Sequence, residues 1–333
     1  MIISRTPFRV SFFGGGTDYP KWFEENKGAV LATTIDKYCY ITCRYLPPFF
    51  EHKSRIIYSI MEHVQSSIDE IKHPAVREIL KYMKIHEGIE IHHDGDLPAR
   101  AGLGSSSSFA VGLLNALYAL KGIMPTKERL AKEAILIEQG KCQENVGCQD
   151  QMLASYGGFN FIEFGGSHHL HVRRVTLPSE RMDFLQSHMM LFFTGFSRTA
   201  SEIAAQQIKN IPKKKKELKA MYQMTLHAVD MINNDEITGL GKLLHESWKL
   251  KRSLSDKITT PHIDDMYDSA MRAGADGGKL LGAGGGGFLL LFAKPERQKK
   301  IREKLKNLLS IPFRFETLGS QIIFYQPDSG KVY

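Results

Sequence analysis

Four cysteines in 333 residues are too few for a disulfide scaffold. Cys39, Cys43, Cys142 and Cys148 show no C-x-x-C spacing, and no second pair of soft ligands stands at zinc-finger distance. Buried free thiols in a reducing compartment are expected. The histidine pairs His92-His93 and His168-His169 lack a matching carboxylate or cysteine set, so they imply no metal. No stretch approaches the ~18 apolar residues of a membrane span. The opening MIISRTPFRV has no long apolar run of the signal-peptide kind. A cytoplasmic protein without a membrane partner is expected. The Walker pattern GxxxxGK[ST] is absent, which disfavours the P-loop NTPase fold. Acidic excess is absent too: the net charge is +8, which favours anionic partners. The densest basic run, residues 213–216, carries none of the interleaved aromatics that a nucleic-acid stacking surface needs. It reads as a solvated helix start, and no nucleic acid is expected as partner.

What remains is an ordinary globular composition, with 42% hydrophobic and 24% charged residues. The length predicts two domains, divided at Pro178 into 1–178 and 179–333. Strand patterns fall at 8–12, 29–45, 89–91 and 159–164, the last in a hairpin with 169–175. Helical patterns fall at 75–83, 127–140 and from 149. After Pro178 come a strand at 189–193, three helices to about 250, a helix at 263–273, a strand at 288–292, a helix at 296–309 and a strand at 322–326. Strands lie early and late with helices between, which predicts an α+β fold rather than a doubly wound sheet.

The most informative stretch is PARAGLGSSSS, residues 98–108. Gly102 and Gly104 permit close approach and unusual dihedrals, and Ser105, Ser106, Ser107 and Ser108 add short hydroxyl donors. An apolar run follows with hydrophobic residues on most helical faces (Val111, Leu113, Leu114, Leu117), the mark of a buried helix. Its N-terminus would meet the loop with unsatisfied N–H groups and a positive dipole end. A nucleotide triphosphate fits there, held by Pro98, Ala101, Gly102, Leu103, Gly104 and the four serines. The alternative is a plain Gly/Ser turn. The run GAGGGG at 282–287 formally matches GxGxxG, but a strand follows it where a dinucleotide fingerprint opens a helix. It is read as a close backbone crossing behind another loop.

Three segments together carry a resemblance: Pro7-Phe8-Arg9-Val10 with Gly14-Gly15-Gly16-Thr17-Asp18-Tyr19, residues 98–108, and residues 281–288. Their order and spacing resemble the three motifs of the GHMP kinases, which include galactokinase, homoserine kinase and mevalonate kinase. The resemblance implies a two-domain α+β fold, with a ribosomal protein S5 domain 2-like N-terminal domain and a ferredoxin-like C-terminal one. It also implies ATP and Mg²⁺. Within the family, GGGTDYP looks like the D-glycero-D-manno-heptose 7-phosphate kinases. Galactokinases carry Gly-Glu-His-Thr-Asp-Tyr there; Gly15 and Gly16 replace that Glu-His pair and leave room for a longer substrate.

By the same resemblance, Ser106 and Glu138 would hold Mg²⁺. Asp150 would accept or orient the proton of the attacking hydroxyl, and Arg9 would lie beside the transferring phosphate, where a cation stabilises developing charge. Asp18 would grip sugar hydroxyls, with Gly14, Gly15, Gly16, Thr17 and Tyr19 shaping the pocket. The bland alternatives are a solvated helix face for Glu138, an N-cap for Asp150, a strand salt bridge for Arg9 and a capping turn for residues 17–19. Arg198, on a loop after a strand, is the candidate for a phosphate on the substrate itself; Lys37 and Arg44 are alternatives. The leading expectation is a kinase that phosphorylates the anomeric hydroxyl of the 7-phosphate to give a 1,7-bisphosphate, for nucleotide-activated heptose synthesis. An anomeric kinase for fucose or galactose, or a non-catalytic sugar/ATP sensor, stands beside it.

Overall fold

The first strand runs over Ile2–Phe13, well beyond the expected 8–12. Polar side chains on its inner face disguised the pattern. Ser4 and Thr6 are fully buried; the Ser4 hydroxyl donates to the Gly112 carbonyl at 2.8 Å, and Thr6 bonds the Ser320 hydroxyl at 2.8 Å. In this computed structural model, residues 1–47, 49–99, 101–166, 170–195 and 200–327 are described.

The second strand, Gly28–Tyr45, is the spine. It pairs antiparallel with the first from Ile2↔Cys43 to Phe13↔Leu31. Its first half also pairs with Phe159–Phe164, and its second half with Ile89–Gly95. Among the described residues nine strands join in this sheet and four in another, ordered Leu309–Ser310, Met189–Gly195, Gly287–Phe292, Gly277–Leu280. The chain crosses back at its end: Phe315–Glu316 pairs with the spine, and Gln321–Tyr325 pairs with the first strand. The two halves are thus stitched by backbone bonds. Helices and mixed sheets make this an α+β protein, as the order of patterns predicted.

The apolar run after the Gly/Ser loop forms the helix Ser105–Leu120, buried at every residue from Ser107 onward. It lies on the first two strands so closely that a Cβ on Gly112 would meet Thr6 Oγ1 at 2.8 Å and Ile41 Cγ1 at 3.4 Å. The hairpin Ser54–Ile57 with Met61–Val64 was not expected; four residues per strand give too short an alternation to read. The helix expected at 127–140 is α-helical only over Lys127–Ile135 and widens into a π-turn over Leu136–Lys141. The helix expected to reach 309 ends at Lys304. All four cysteines are free thiols, three of them buried.

Gly112→Val should force the helix off the sheet and lower stability by about 1–3 kcal/mol. Urea denaturation would read this, and an unchanged midpoint would refute the tight seating.

Candidate active site

Two glycine loops cross back to back. A Cβ on Gly102 would sit 2.5 Å from the Leu281 carbonyl oxygen; one on Gly282 would sit 2.5 Å from Gly102 Cα, and one on Gly287 2.3 Å from the Ala101 carbonyl oxygen. Only glycine tolerates such approach. The close crossing expected for residues 282–287 is therefore present, and the loop it supports is the 101–104 segment. Ala101 and Leu103 face the core, while Ser106 is exposed. Gly104, in the left-handed region at φ 77°, caps the helix start. The first helical turn lacks intrahelical acceptors for its amides. Pro98 precedes the loop, half-buried.

Arg9 fastens this loop. Its backbone N–H donates to the Leu103 carbonyl at 3.0 Å, and its side chain donates to the Gly102 carbonyl at 2.7 Å. The remaining guanidinium edge grips Asp150, Nε to Oδ1 at 2.6 Å and Nη2 to Oδ2 at 2.8 Å. This two-pronged pair is a strong geometry. Arg9 and Asp150, 141 positions apart, are in direct contact. Asp150 lies in the first turn of the helix Gln149–Tyr156, and its side chain keeps 23% exposure. A carboxylate has lone pairs beyond the two that Arg9 uses, so a ligand hydroxyl can reach it.

Asp18 approaches from the other side. It is buried, accepts from the Gly16 N–H at 2.9 Å and from the Gln149 N–H at 3.4 Å, and leaves no room for a Cβ on Gly147, which would lie 2.0 Å from Oδ2. Burial pushes its carboxyl up, against the pull of the Gly16 amide. Thr17 fastens the turn: its hydroxyl donates to the Gly14 carbonyl at 2.8 Å and accepts from the Ala29 N–H at 3.1 Å. Gly14, at φ 82°, sits where a Cβ would be 1.8 Å from the Ala29 carbonyl oxygen. Tyr19 packs in the core. Beside Gly15 are Ser11 and Gln149; the Ser11 hydroxyl and Gln149 Oε1 are buried with no partner among the described residues.

The π-turn turns Glu138 inward. It accepts from Ser106 Oγ, Ser107 Oγ and Gln151 Nε2, each at 2.6 Å, so it is not a solvated helix face. Burial outweighs these bonds and pushes its carboxyl up to about 7. Glu144 Oε2 stands 3.5 Å from the Ser106 hydroxyl. All three donors to Glu138 are neutral, and no described ion pair neutralises it. A hydroxyl and a charge-starved carboxylate at the cleft edge fit Mg²⁺, a hard ion that takes few protein oxygens and keeps waters. The described residues contain no cluster of three or more His, Cys, Asp or Glu. Ser108 is used elsewhere, donating to the Pro7 carbonyl at 2.9 Å.

Two site residues escaped the sequence reading. Lys251 is buried and donates to the Gly282 carbonyl at 2.5 Å; Lys279 is buried and donates to the Phe12 carbonyl at 2.9 Å. A signal existed for the first: Leu240, Leu244, Trp248 and Lys251 share the buried stripe of the helix Leu240–Ser253, and a lysine on an apolar stripe is anomalous. Lys37 and Arg44 are occupied by Asp36 and Glu90. Arg198 lies outside the described residues. Lys214 and Lys215 pair with Glu217 and Glu25, as a solvated helix start would.

The GHMP kinases N terminal domain model matches residues 69–158, and the GHMP kinases C terminal model matches 231–311; together they take in just over half of the chain. The D-glycero-alpha-D-manno-heptose 7-phosphate kinase of Campylobacter jejuni is 28% identical over 316 residues, 92% of this chain and 93% of that protein. The bifunctional fucokinase/GDP-fucose pyrophosphorylase of Arabidopsis thaliana is 25% identical, over 90% of this chain but 30% of its own length. Among solved structures, a D-glycero-D-manno-heptose 1-phosphate kinase from Bacteroides thetaiotaomicron superposes with a TM-score of 0.77 at 23% identity, covering 96% of this chain and 98% of that one.

Glu138 binds its proton more tightly in the folded protein than in the unfolded chain, so its charge costs stability as pH rises from about 4.5 to about 7. In metal-free protein, Glu138→Gln should flatten the stability difference between about pH 5 and about pH 8 by about 1–3 kcal/mol. Urea midpoints with an unaltered pH slope would refute the buried, unneutralised carboxylate.

Proposed function

We propose that this chain, which belongs to the GHMP kinases and is a phosphotransferase acting on a sugar hydroxyl, moves the γ-phosphoryl group of ATP onto the anomeric hydroxyl of a heptose that already carries a 7-phosphate. The observation that carries the reading is the Arg9–Asp150 pair, held against the 101–104 loop and faced by Asp18. An anion-binding helix start, a cation beside it and two carboxylates at one point are the parts in-line phosphoryl transfer requires.

In this mechanism the triphosphate lies along the 101–108 loop. The anomeric oxygen attacks the γ-phosphorus, a P–O bond forms, and the bond to the β–γ bridging oxygen breaks to release ADP. The hydroxyl proton passes to an Asp150 oxygen and then to solvent. Asp150 aims the hydroxyl, because the two-pronged grip of Arg9 fixes its carboxylate plane. Arg9 faces the charge that develops on the transferring oxygens. Asp18, Ser11 and Gln149 offer acceptors and a hydroxyl for the sugar ring. Mg²⁺, held through Ser106 and Glu138, would neutralise phosphate charge. A heptose substrate is supported by Gly15 and Gly16, which leave space where galactokinases carry larger side chains, and by the Campylobacter relative. Arg198 remains the proposed contact for the 7-phosphate; Lys37 and Arg44 already hold carboxylates of their own.

An ADP-release assay across sugars and sugar phosphates tests this. Heptose 7-phosphate should react well and unphosphorylated heptose, fucose and galactose poorly; equal rates with and without the 7-phosphate would end the phosphate-pocket claim. Asp150→Asn should lower turnover at least ~100-fold while leaving the unfolding free energy from urea denaturation within about 1–2 kcal/mol of wild type. Unchanged turnover would remove Asp150 from the mechanism.

A further inference from the structure

Lysine is almost never fully buried unless paired, yet this site holds two such lysines. Lys251 comes from the helix Leu240–Ser253 and Lys279 from the strand Gly277–Leu280, whose four residues are all buried. Their side chains are 5% and 2% exposed as residues. Among the described residues the hydrogen-bond partners of each are backbone carbonyls: Gly282 at 2.5 Å and Leu280 at 3.5 Å for Lys251, and Phe12 at 2.9 Å for Lys279. Among the described residues neither forms an ion pair. An ammonium group carries three donors, so both are under-satisfied as well as desolvated.

Their carbonyl partners place them. Gly282 lies against Gly102, whose carbonyl holds Arg9. Phe12 is the second-last residue of the strand that leads into the turn carrying Asp18. Three cations, Arg9, Lys251 and Lys279, therefore gather around two carboxylates, Asp18 and Asp150, and the carboxylates are spent on Arg9 and on backbone amides. The second half of the chain thus presents uncompensated positive charge to the reaction centre. A buried charge without a partner costs several kcal/mol, and an arriving anion would supply that partner.

We propose that Lys251 and Lys279 form the floor of a phosphoanion site beside Arg9, receiving the oxygens of a terminal phosphate. The proposal rests on the transferase reading only for its choice of phosphate. Two sources share this chemistry: the γ-phosphate of ATP and the phosphate already on the sugar. The field around the two amines supports the assignment. Burial, then the Arg9 charge, pushes the Lys251 ammonium down to about 8, with Asp18 and Asp150 pulling the other way. Burial, then the charges of Lys251 and Arg9, pushes the Lys279 ammonium well below the ordinary lysine range, with Asp18 opposing. A phosphate dianion between them would raise both and draw a proton from solution.

Calorimetric titration near pH 8 in HEPES and in Tris measures that proton. ATP with Mg²⁺, heptose 7-phosphate alone and unphosphorylated heptose alone are the three arms. Uptake of about 0.5–1 proton is expected with ATP if the γ-phosphate is the occupant, or with the sugar phosphate if the 7-phosphate is, and none with the neutral sugar. Lys251→Met and Lys279→Met should each weaken that ligand at least ~10-fold, the loss of one charged partner, and each reduce the uptake, which the double variant should abolish. Their melting temperatures should be equal or higher, since an unpaired buried charge is removed. Uptake absent in wild type with both phosphates, uptake equal with the neutral sugar, or affinity unchanged in the methionine variants overturns the proposal; so does a variant that only loses stability. The wild-type titration decides even if a variant fails to fold. Lysine-dependent uptake without ADP release from any sugar phosphate would sink the transferase reading instead. Normal turnover and binding in both variants would sink this one alone.

Discussion

The site depends on the contact between two backbones, residues 101–102 and residues 281–287. Side chains are excluded there because each chain occupies the place where the other's Cβ atoms would be. That exclusion holds the 101–104 loop directly against the backbone of residues 281–287. Arg9 then ties the loop to the first strand through one backbone and one side-chain bond. With the loop fixed from both sides, the guanidinium has one direction left, and Asp150 lies in it. A larger residue at Gly102 or Gly282 would therefore disturb Arg9 and Asp150 without touching either.

The same crossing explains why the second half of the chain matters to a site whose motifs lie in the first. Lys251 holds the Gly282 carbonyl and Lys279 holds Phe12, so each half-site wall is pinned from beyond residue 240. Pinning by ammonium groups is an unusual choice. A methionine of similar length would fill the space without desolvating a charge, so packing alone does not account for the two lysines. Stability given up at a fixed point is the common signature of a binding surface.

Much of this was legible in the sequence. Residues 98–108 declared a loop before a buried helix because glycine, serine and an all-round apolar run occur there in a single order. Residues 282–287 declared a crossing because a strand follows them. Asp150, Arg9 and Glu138 were assigned by resemblance, and the fold brings the first two into contact and turns the third onto Ser106. The strand ends and the lysines were not legible. Ser4 and Thr6 broke the alternation of the first strand because their partners, Gly112 and Ser320, lie far along the chain. Lys279 sits in a four-residue strand too short for periodicity to mark its side chain as inward. Lys251 was readable in principle, but a charged residue on an apolar stripe is easily dismissed as one that snorkels.

The π-turn at Leu136–Lys141 shows how a local departure from regularity serves the site. In an unbroken α-helix each residue advances about 100° around the axis; in the wider turn each residue advances by less, which changes the face that the following residues present. Such turns recur at functional sites, since they break the usual hydrogen-bond ladder to re-aim one or two side chains. Here the re-aimed residue is Glu138, delivered to the two serines at the start of the buried helix. Three neutral donors satisfy the geometry of its carboxylate but leave its charge uncompensated. The protein therefore holds an uncompensated negative charge at one edge of the loop and an uncompensated positive pair on the other side of Arg9. A cation at the first and a phosphate at the second would neutralise both together.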